Sequence, residues 1–225
     1  MSTTTLDRVR ILVLGDSGVG KSSLVHLMAY GQPLQQISYT IGAAIEVKLH
    51  EYKEGTPTQR TFWIEFCDVG GTHAHRNVRH VFYANTHGII LVHDLSNKKS
   101  QGNLTNWLRE FMDRESGNAK LRESTWEDQS GSSDHLDTID VNIPLLVVGT
   151  KQDVASETHA LPLHQKRSFI AEEYLTEEIQ LNCQDERSVM AGSSASNKLC
   201  RFFDKVIDKQ FYRRDVKAAS ERRRL

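Results

Sequence analysis

Gly15-Asp16-Ser17-Gly18-Val19-Gly20-Lys21-Ser22 matches the pattern G-x-x-x-x-G-K-[ST] at every fixed position. An apolar run, Val9 to Leu14, precedes it and predicts a buried strand. Leu24, Val25, Leu27 and Met28 follow within the stretch Ser22 to Tyr30 and predict a helix. A turn between such a strand and helix aims backbone N–H groups and a helix N-terminus at one point, where an anion binds. Glycines 15, 18 and 20 let the backbone wrap that anion with no Cβ in the way. Lys21 reaches the outer phosphates of a nucleotide in such a loop, and the Ser22 hydroxyl holds a magnesium ion. The stretch therefore predicts a nucleotide-phosphate site on an α/β fold.

The chain of 225 residues is long enough to bury a full core. Its 28 basic and 29 acidic residues nearly cancel, so no global field favours nucleic acid. No apolar run approaches the ~18 residues of a membrane span, and the start MSTTTLDRVR lacks the apolar core of a signal peptide. Cys67, Cys183 and Cys200 are too few and too scattered for a disulfide framework or a zinc site. These features predict a cytoplasmic protein.

Outward from the loop, Ala43 to Tyr52 alternates Ile45, Val47 and Leu49 with Glu46, Lys48 and His50, which predicts a half-buried strand near the sheet edge. Lys53-Glu54-Gly55-Thr56-Pro57 is turn chemistry, and Thr61 to Cys67 completes an antiparallel hairpin. Gly88 to Asp94 and Ile143 to Gly149 read as buried strands and Ile179 to Cys183 as a short one. Helices are predicted near 100–113, from Leu104, Trp107, Leu108 and Phe111, and near 162–175, opened by Pro162. A last helix carries Leu199, Phe202, Phe203, Val206 and Ile207. Residues 114–140, rich in Ser, Gly and acids, read as a flexible insertion in a domain spanning 1–212, and 213–225 as a basic tail. The pattern implies a three-layer α/β sandwich: a mostly parallel six-stranded sheet with one antiparallel hairpin strand and helices on both faces.

Three further motifs fall where a phosphate-sensing site needs them. Thr40, in Tyr39-Thr40-Ile41-Gly42, can offer its hydroxyl to magnesium and its N–H to a γ-phosphate. Asp68, in Asp68-Val69-Gly70-Gly71, can hold the metal through water, and Gly71 can turn its N–H to the same phosphate. Asp153, in Thr150-Lys151-Gln152-Asp153, can accept hydrogen bonds from the ring N–H and exocyclic amine of guanine, while Lys151 lies along the base. Adenine presents an acceptor at that ring nitrogen, so Asp153 selects guanine. His73, His75 and His80 lack carboxylate partners at ligand spacing and read as surface residues. Phe82, Tyr83 and Trp107 read as core and interface residues.

The order GDSGVGKS, YTIG, DVGG and TKQD resembles the Ras-superfamily small GTPases, nearest the Rab branch, over most of residues 7–210. That resemblance implies GTP and GDP as ligands, Mg²⁺ as cofactor, and partner-facing switch regions near 33–42 and 69–82. Nucleotide contacts then fall to Ser17, Gly18, Val19, Gly20, Lys21, Ser22, Ser23, Thr40, Gly71, Lys151, Gln152 and Asp153, and metal contacts to Ser22, Thr40 and Asp68. The loop beneath the guanine is either Asn182-Cys183, favoured because a strand leads into it, or Ser193-Ser194-Ala195. Effector or regulatory proteins, and a second copy of the chain, are the implied partners.

Two departures stand out. The family's water-orienting Gln is Thr72, which predicts slow hydrolysis, and the Asn that ties the base loop to the phosphate loop is Thr150. The chain also ends without the C-terminal cysteines that carry Rab lipid anchors. The expectation is a GTP-binding switch with no lipid anchor. A non-cycling scaffold and a P-loop ATPase or phosphotransferase are the alternatives.

Overall fold

The computed structural model describes residues 6–72, 74, 76–115, 142–157 and 167–212. Six strands form one sheet: β1 Arg8–Leu14, β2 Ala43–Tyr52, β3 Arg60–Val69, β4 Gly88–Asp94, β5 Leu145–Thr150 and β6 Glu177–Gln180. Their order is β2-β3-β1-β4-β5-β6, and only the β2–β3 pair is antiparallel. The order reverses around β1: β3 lies on one side and β4 on the other. A ligand crevice opens at the carboxyl end of such a switch point, which is where β1 delivers residues 15–22.

Side-chain alternation along β1 explains both layers. Val9, Ile11 and Val13 enter one core with Leu24 and Leu27 of α1 (Lys21–Tyr30) and Phe202, Phe203 and Val206 of α7 (Ser194–Ile207). Leu12 and Leu14 enter the other, with Trp107, Leu108 and Phe111 of α4 (Leu104–Glu115) and Ile170 of α6 (Phe169–Glu173). Both faces of the central strands are thus covered, which is why they read as continuous apolar runs. The shorter helices are α2 Arg76–Arg79, α3 Lys98–Gly102 and α5 Gln152–Glu157.

Several boundaries differ from expectation. The hairpin's second strand runs to Val69, so Asp68 is still within the sheet, paired with Ala44. Strand β5 starts at Leu145, because Pro144 has no N–H to give; its carbonyl instead accepts from Ile89. Strand β6 ends at Gln180, leaving Asn182 and Cys183 in a loop. The helix expected near 100–113 is split into α3 and α4 at Gly102-Asn103, and α4 continues to Glu115, beyond the expected start of the insertion. Of the helix expected at 162–175, Phe169–Glu173 is helical, capped by Ser168, whose side chain accepts from Ala171 N–H. Tyr174 ends it and Leu175 follows with a left-handed φ of 47°. Pro162, residues 116–141 and the tail 213–225 lie outside the described residues. No described helix is long and apolar enough to cross a membrane.

Candidate functional site

Helix α1 begins without a side-chain cap: its N-cap is Gly20, at φ 97°, and no side chain accepts from its first turn. The first-turn N–H groups are therefore open toward an anion. Gly15 is needed for a different reason, since a Cβ there would lie 2.2 Å from the Val92 carbonyl oxygen. Lys21 is 6% exposed, and its ammonium donates to the carbonyls of Gly15 and Asp16, each at 2.8 Å. Burial pushes its pKa down to about 8, against the opposing pull of the Asp68 and Asp16 carboxylates. A buried cation of this kind is what a phosphate anion would stabilise.

Ser22, Thr40 and Asp68 converge although they come from three elements. Ser22 Oγ donates to Asp68 Oδ2 at 2.5 Å, Thr40 Oγ1 donates to the same oxygen at 3.2 Å, and the two hydroxyls are 3.0 Å apart. Asp68 is 1% exposed, and its second oxygen, Oδ1, is buried with no hydrogen-bond partner. Burial raises its pKa despite the hydrogen bond from Ser22 and the charge of Lys21. An orphaned carboxylate oxygen beside two hydroxyls fits a hard, oxygen-seeking cation such as Mg²⁺. The described residues hold no group of three His, Cys, Asp or Glu side chains arranged to bind a metal ion, so phosphate and water oxygens would complete the shell.

The loop holding Thr40 meets the end of β3 closely. Gly70 N–H donates to the Gly42 carbonyl at 2.8 Å, and a Cβ on Gly70 would lie 2.6 Å from the Thr40 oxygen. A Cβ on Gly71 would lie 2.5 Å from Asp16 C and Ser17 N, so only glycine lets the segment after β3 press against the loop after β1.

A cleft of about 550 Å³ runs from this cluster to the loops after β5 and β6. Ser17, Gly18, Gly20, Lys21, Ser22, Ser23, Thr40, Gly71, Lys151, Asp153, Asn182 and Cys183 line it. Val19, Gln152 and Asp68 do not: Val19 is buried in the core, and Asp68 lies beneath Ser22 and Thr40. The walls also include Tyr39 and Thr72, and three residues that carried no motif, Ile37, Val154 and Gln184. Ser193–Ala195 are not on the walls; Ser193 caps α7, accepting from Ser196 N–H at 3.0 Å.

At the far end Lys151 takes a left-handed φ of 56° and reaches Asp94 Oδ2 at 2.7 Å. Burial pushes the Asp94 carboxyl up, but hydrogen bonds from Lys151 and Ser96 outweigh it and hold the pKa below its usual value. Burial and the nearby Asp153 carboxylate push the Cys183 thiol up to about 12, so it stays protonated. The Thr150 hydroxyl reaches the Val19 carbonyl and, at 3.0 Å, the His93 carbonyl; its one proton serves either.

Two contributors gave no motif signal. Asp16 accepts from Asn103 Nδ2 at 2.7 Å and Trp107 Nε1 at 2.8 Å, fastening the phosphate loop to α4. Arg79, a charged residue with no motif around it, is 1% exposed and forks onto Glu110. Neither spacing nor local pattern shows such partners, which lie 31 to 91 residues apart. Of the three histidines, His73 and His75 lie outside the described residues; His80 is half-buried in the 3-10 turn His80–Phe82.

Comparison with known proteins agrees with this geometry. Residues 10–121 match the sequence family described as "Ras of Complex, Roc, domain of DAPkinase". The chain is 45% identical over 228 residues to "Rab-like protein 3" of Mus musculus, covering 98% of this chain and 94% of that protein. It is 46% identical over 215 residues to "Rab-like protein 3" of Homo sapiens, covering 94% and 89%. Similarity extends to "Small GTPase LIP1" of Arabidopsis thaliana, 35% identical over 160 residues, covering 67% of this chain and 43% of that protein.

Proposed function

The chain belongs to the small GTPase family of the Ras superfamily, alongside Rab-like protein 3, and from that premise we propose that it is a guanine-nucleotide switch that recruits protein partners. The observation that carries the proposal is the convergence of Ser22 and Thr40, on the wall of a cleft that also holds Asp153, upon the Asp68 carboxylate beneath them, whose second oxygen is unpartnered.

In this reading the α1 N-terminus and the phosphate-loop N–H groups cradle the phosphates while the Lys21 ammonium balances their charge. Bound Mg²⁺ would neutralise charge on the outer phosphates, with Ser22, Thr40 and Asp68 as its protein partners. Ser22 already gives its proton to Asp68, which leaves its lone pairs free to face a cation. Thr40 senses the γ-phosphate: gaining or losing that contact changes the loop that presents Ile37, Tyr39 and Ile41, which are 73%, 85% and 86% exposed. Segments 33–42 and 69–82 are the faces offered to effectors, regulators or a second copy of the chain, and the working location is the cytoplasm.

Asp153 with the Lys151 stem reads guanine, and Asn182-Cys183 supports the base from beneath. Replacing Asp153 with Asn puts a donor where the guanine ring N–H needs an acceptor. Such a mismatch costs about 1–3 kcal/mol, so GTP affinity falls about tenfold or more while xanthosine nucleotides gain. Equal affinity of the wild type for GTP and ATP in a competition titration overturns the guanine reading. One observation favours a second reading, a nucleotide-holding scaffold that does not cycle: Thr72 stands on the cleft wall where the family uses Gln. Retention of GTP over many hours in a single-turnover assay would select that reading.

A further inference from the structure

One continuous chain of side chains joins the phosphate loop to the second switch without passing through the nucleotide cleft. It starts at Asp16, held by Asn103 and by the Trp107 indole N–H at 2.8 Å. The Trp107 ring, fully buried, carries the Arg79 guanidinium 4.0 Å from its centroid. Arg79 donates to both Glu110 oxygens, at 2.6 and 2.5 Å, and its remaining nitrogen Nη1 reaches the Thr72 carbonyl at 3.4 Å. Tyr83, just past the second switch, donates its hydroxyl to Glu110 at 2.7 Å. Trp107 and Glu110 both sit on α4, so one helix grips the phosphate loop at one turn and the second switch at the next.

We propose that Arg79 and Trp107 are positioning residues that hold residues 76–83 against the phosphate loop in both nucleotide states, leaving the γ-phosphate signal to the first switch and to the Gly71 N–H. A guanidinium used at once in a two-point carboxylate fork, a ring stack and a carbonyl bond has one geometry open to it. It is anchored by groups that no phosphate touches, so losing the γ-phosphate leaves it unchanged. Residues 33–41 are held differently: among the described residues, the side-chain hydrogen bonds of that segment that reach other elements are those of Thr40, to Ser22 and Asp68.

The inference rests on the guanine-nucleotide reading, and amide hydrogen exchange tests it after fluorescent GDP has been titrated into the protein. In the wild type, residues 76–83 should exchange within about twofold in GDP and in a non-hydrolysable GTP analogue, while residues 37–42 slow about tenfold with the analogue. Arg79→Met keeps an unbranched apolar stem and removes both the fork and the guanidinium stacked on Trp107. It should make 76–83 nucleotide-dependent, about tenfold faster in GDP than with the analogue, a signature that general loosening would not produce. Trp107→Phe keeps an aromatic ring beside Arg79 but removes the N–H together with part of the indole, so it should speed exchange at residues 16–18. Wild-type protection at 76–83 that follows the γ-phosphate, or an Arg79→Met protein whose 76–83 remains nucleotide-independent, overturns the proposal. A protein that binds no fluorescent GDP overturns the guanine reading instead. The strap is then tested by comparing exchange at 76–83 in nucleotide-free wild type and Arg79→Met, where equal rates overturn it.

Discussion

The Thr150 hydroxyl donates to the Val19 carbonyl, pinning the base-side loop to the phosphate loop across 131 residues of sequence. Thr150 is fully buried, and Gly20 comes close enough that a Cβ there would lie 3.5 Å from the same hydroxyl. A one-oxygen side chain at the end of β5 is thus sufficient for the tie, because β1, β4 and β5 already bring the two loops together.

Thr150→Val keeps the shape and removes the proton. It leaves the Val19 carbonyl without this buried donor, a loss of about 1–3 kcal/mol. GDP should leave roughly 5- to 150-fold faster in a stopped-flow release experiment. Thr150→Ser should stay near wild type, and a Thr150→Val protein that releases GDP at the wild-type rate would show that the tie is idle.

Lys21 gives the nucleotide-free protein a pH signature. Burial lowers its pKa from 10.5 to about 8, so between those values the unfolded chain holds a proton that the folded chain has lost. The unfolded state binds more protons there, and stability rises with pH through that window. Below about pH 8 both states are charged and the folded state bears the cost of burying the ammonium. The wild-type melting temperature, taken relative to Lys21→Met, should therefore climb from pH 8 to 10. Bound nucleotide should flatten that difference, since phosphate holds the lysine charged; parallel pH curves for the two free proteins count against it.

Hydrolysis should be slower than the roughly 10⁻⁴ s⁻¹ intrinsic rate of Ras. Thr72 is exposed on the cleft wall, with a stem shorter than Gln and stiffened by β-branching. A poorly held water loses the orientation on which in-line attack depends. Thr72→Gln should raise the single-turnover rate; no change would mean that another group places the water.

Glu110 is the shared acceptor for Arg79, Tyr83 and, at 3.3 Å, Arg76. Truncation to Ala strands the Arg79 charge in a dry site, which typically costs about 3–5 kcal/mol. Urea unfolding of Glu110→Ala should report a loss of that size. A double substitution, Arg79→Met with Glu110→Leu, should recover much of it, because buried pairs are often replaceable by apolar groups of similar volume.

By itself the sequence determined the α/β sandwich, the phosphate loop and the hairpin, since each depends on short-range patterns: apolar runs for strands covered on both faces, alternation for β2, and glycines where the backbone must turn or approach closely. Ser22, Thr40 and Asp68 were legible one by one as metal-competent types. The loop choice between Asn182 and Ser193 depended on where β6 stops, which edge-strand pairing with β5 decides. What only the tertiary structure decided are the partnerships made across long stretches of chain: Asp16 with Trp107, Arg79 with Glu110, Thr150 with Val19. A local pattern records whether a residue faces core or solvent, and by that measure Arg79 belonged outside. It is buried because a carboxylate, a ring and a carbonyl from two other segments meet it at one place, and that meeting exists only once the sheet has set its strand order.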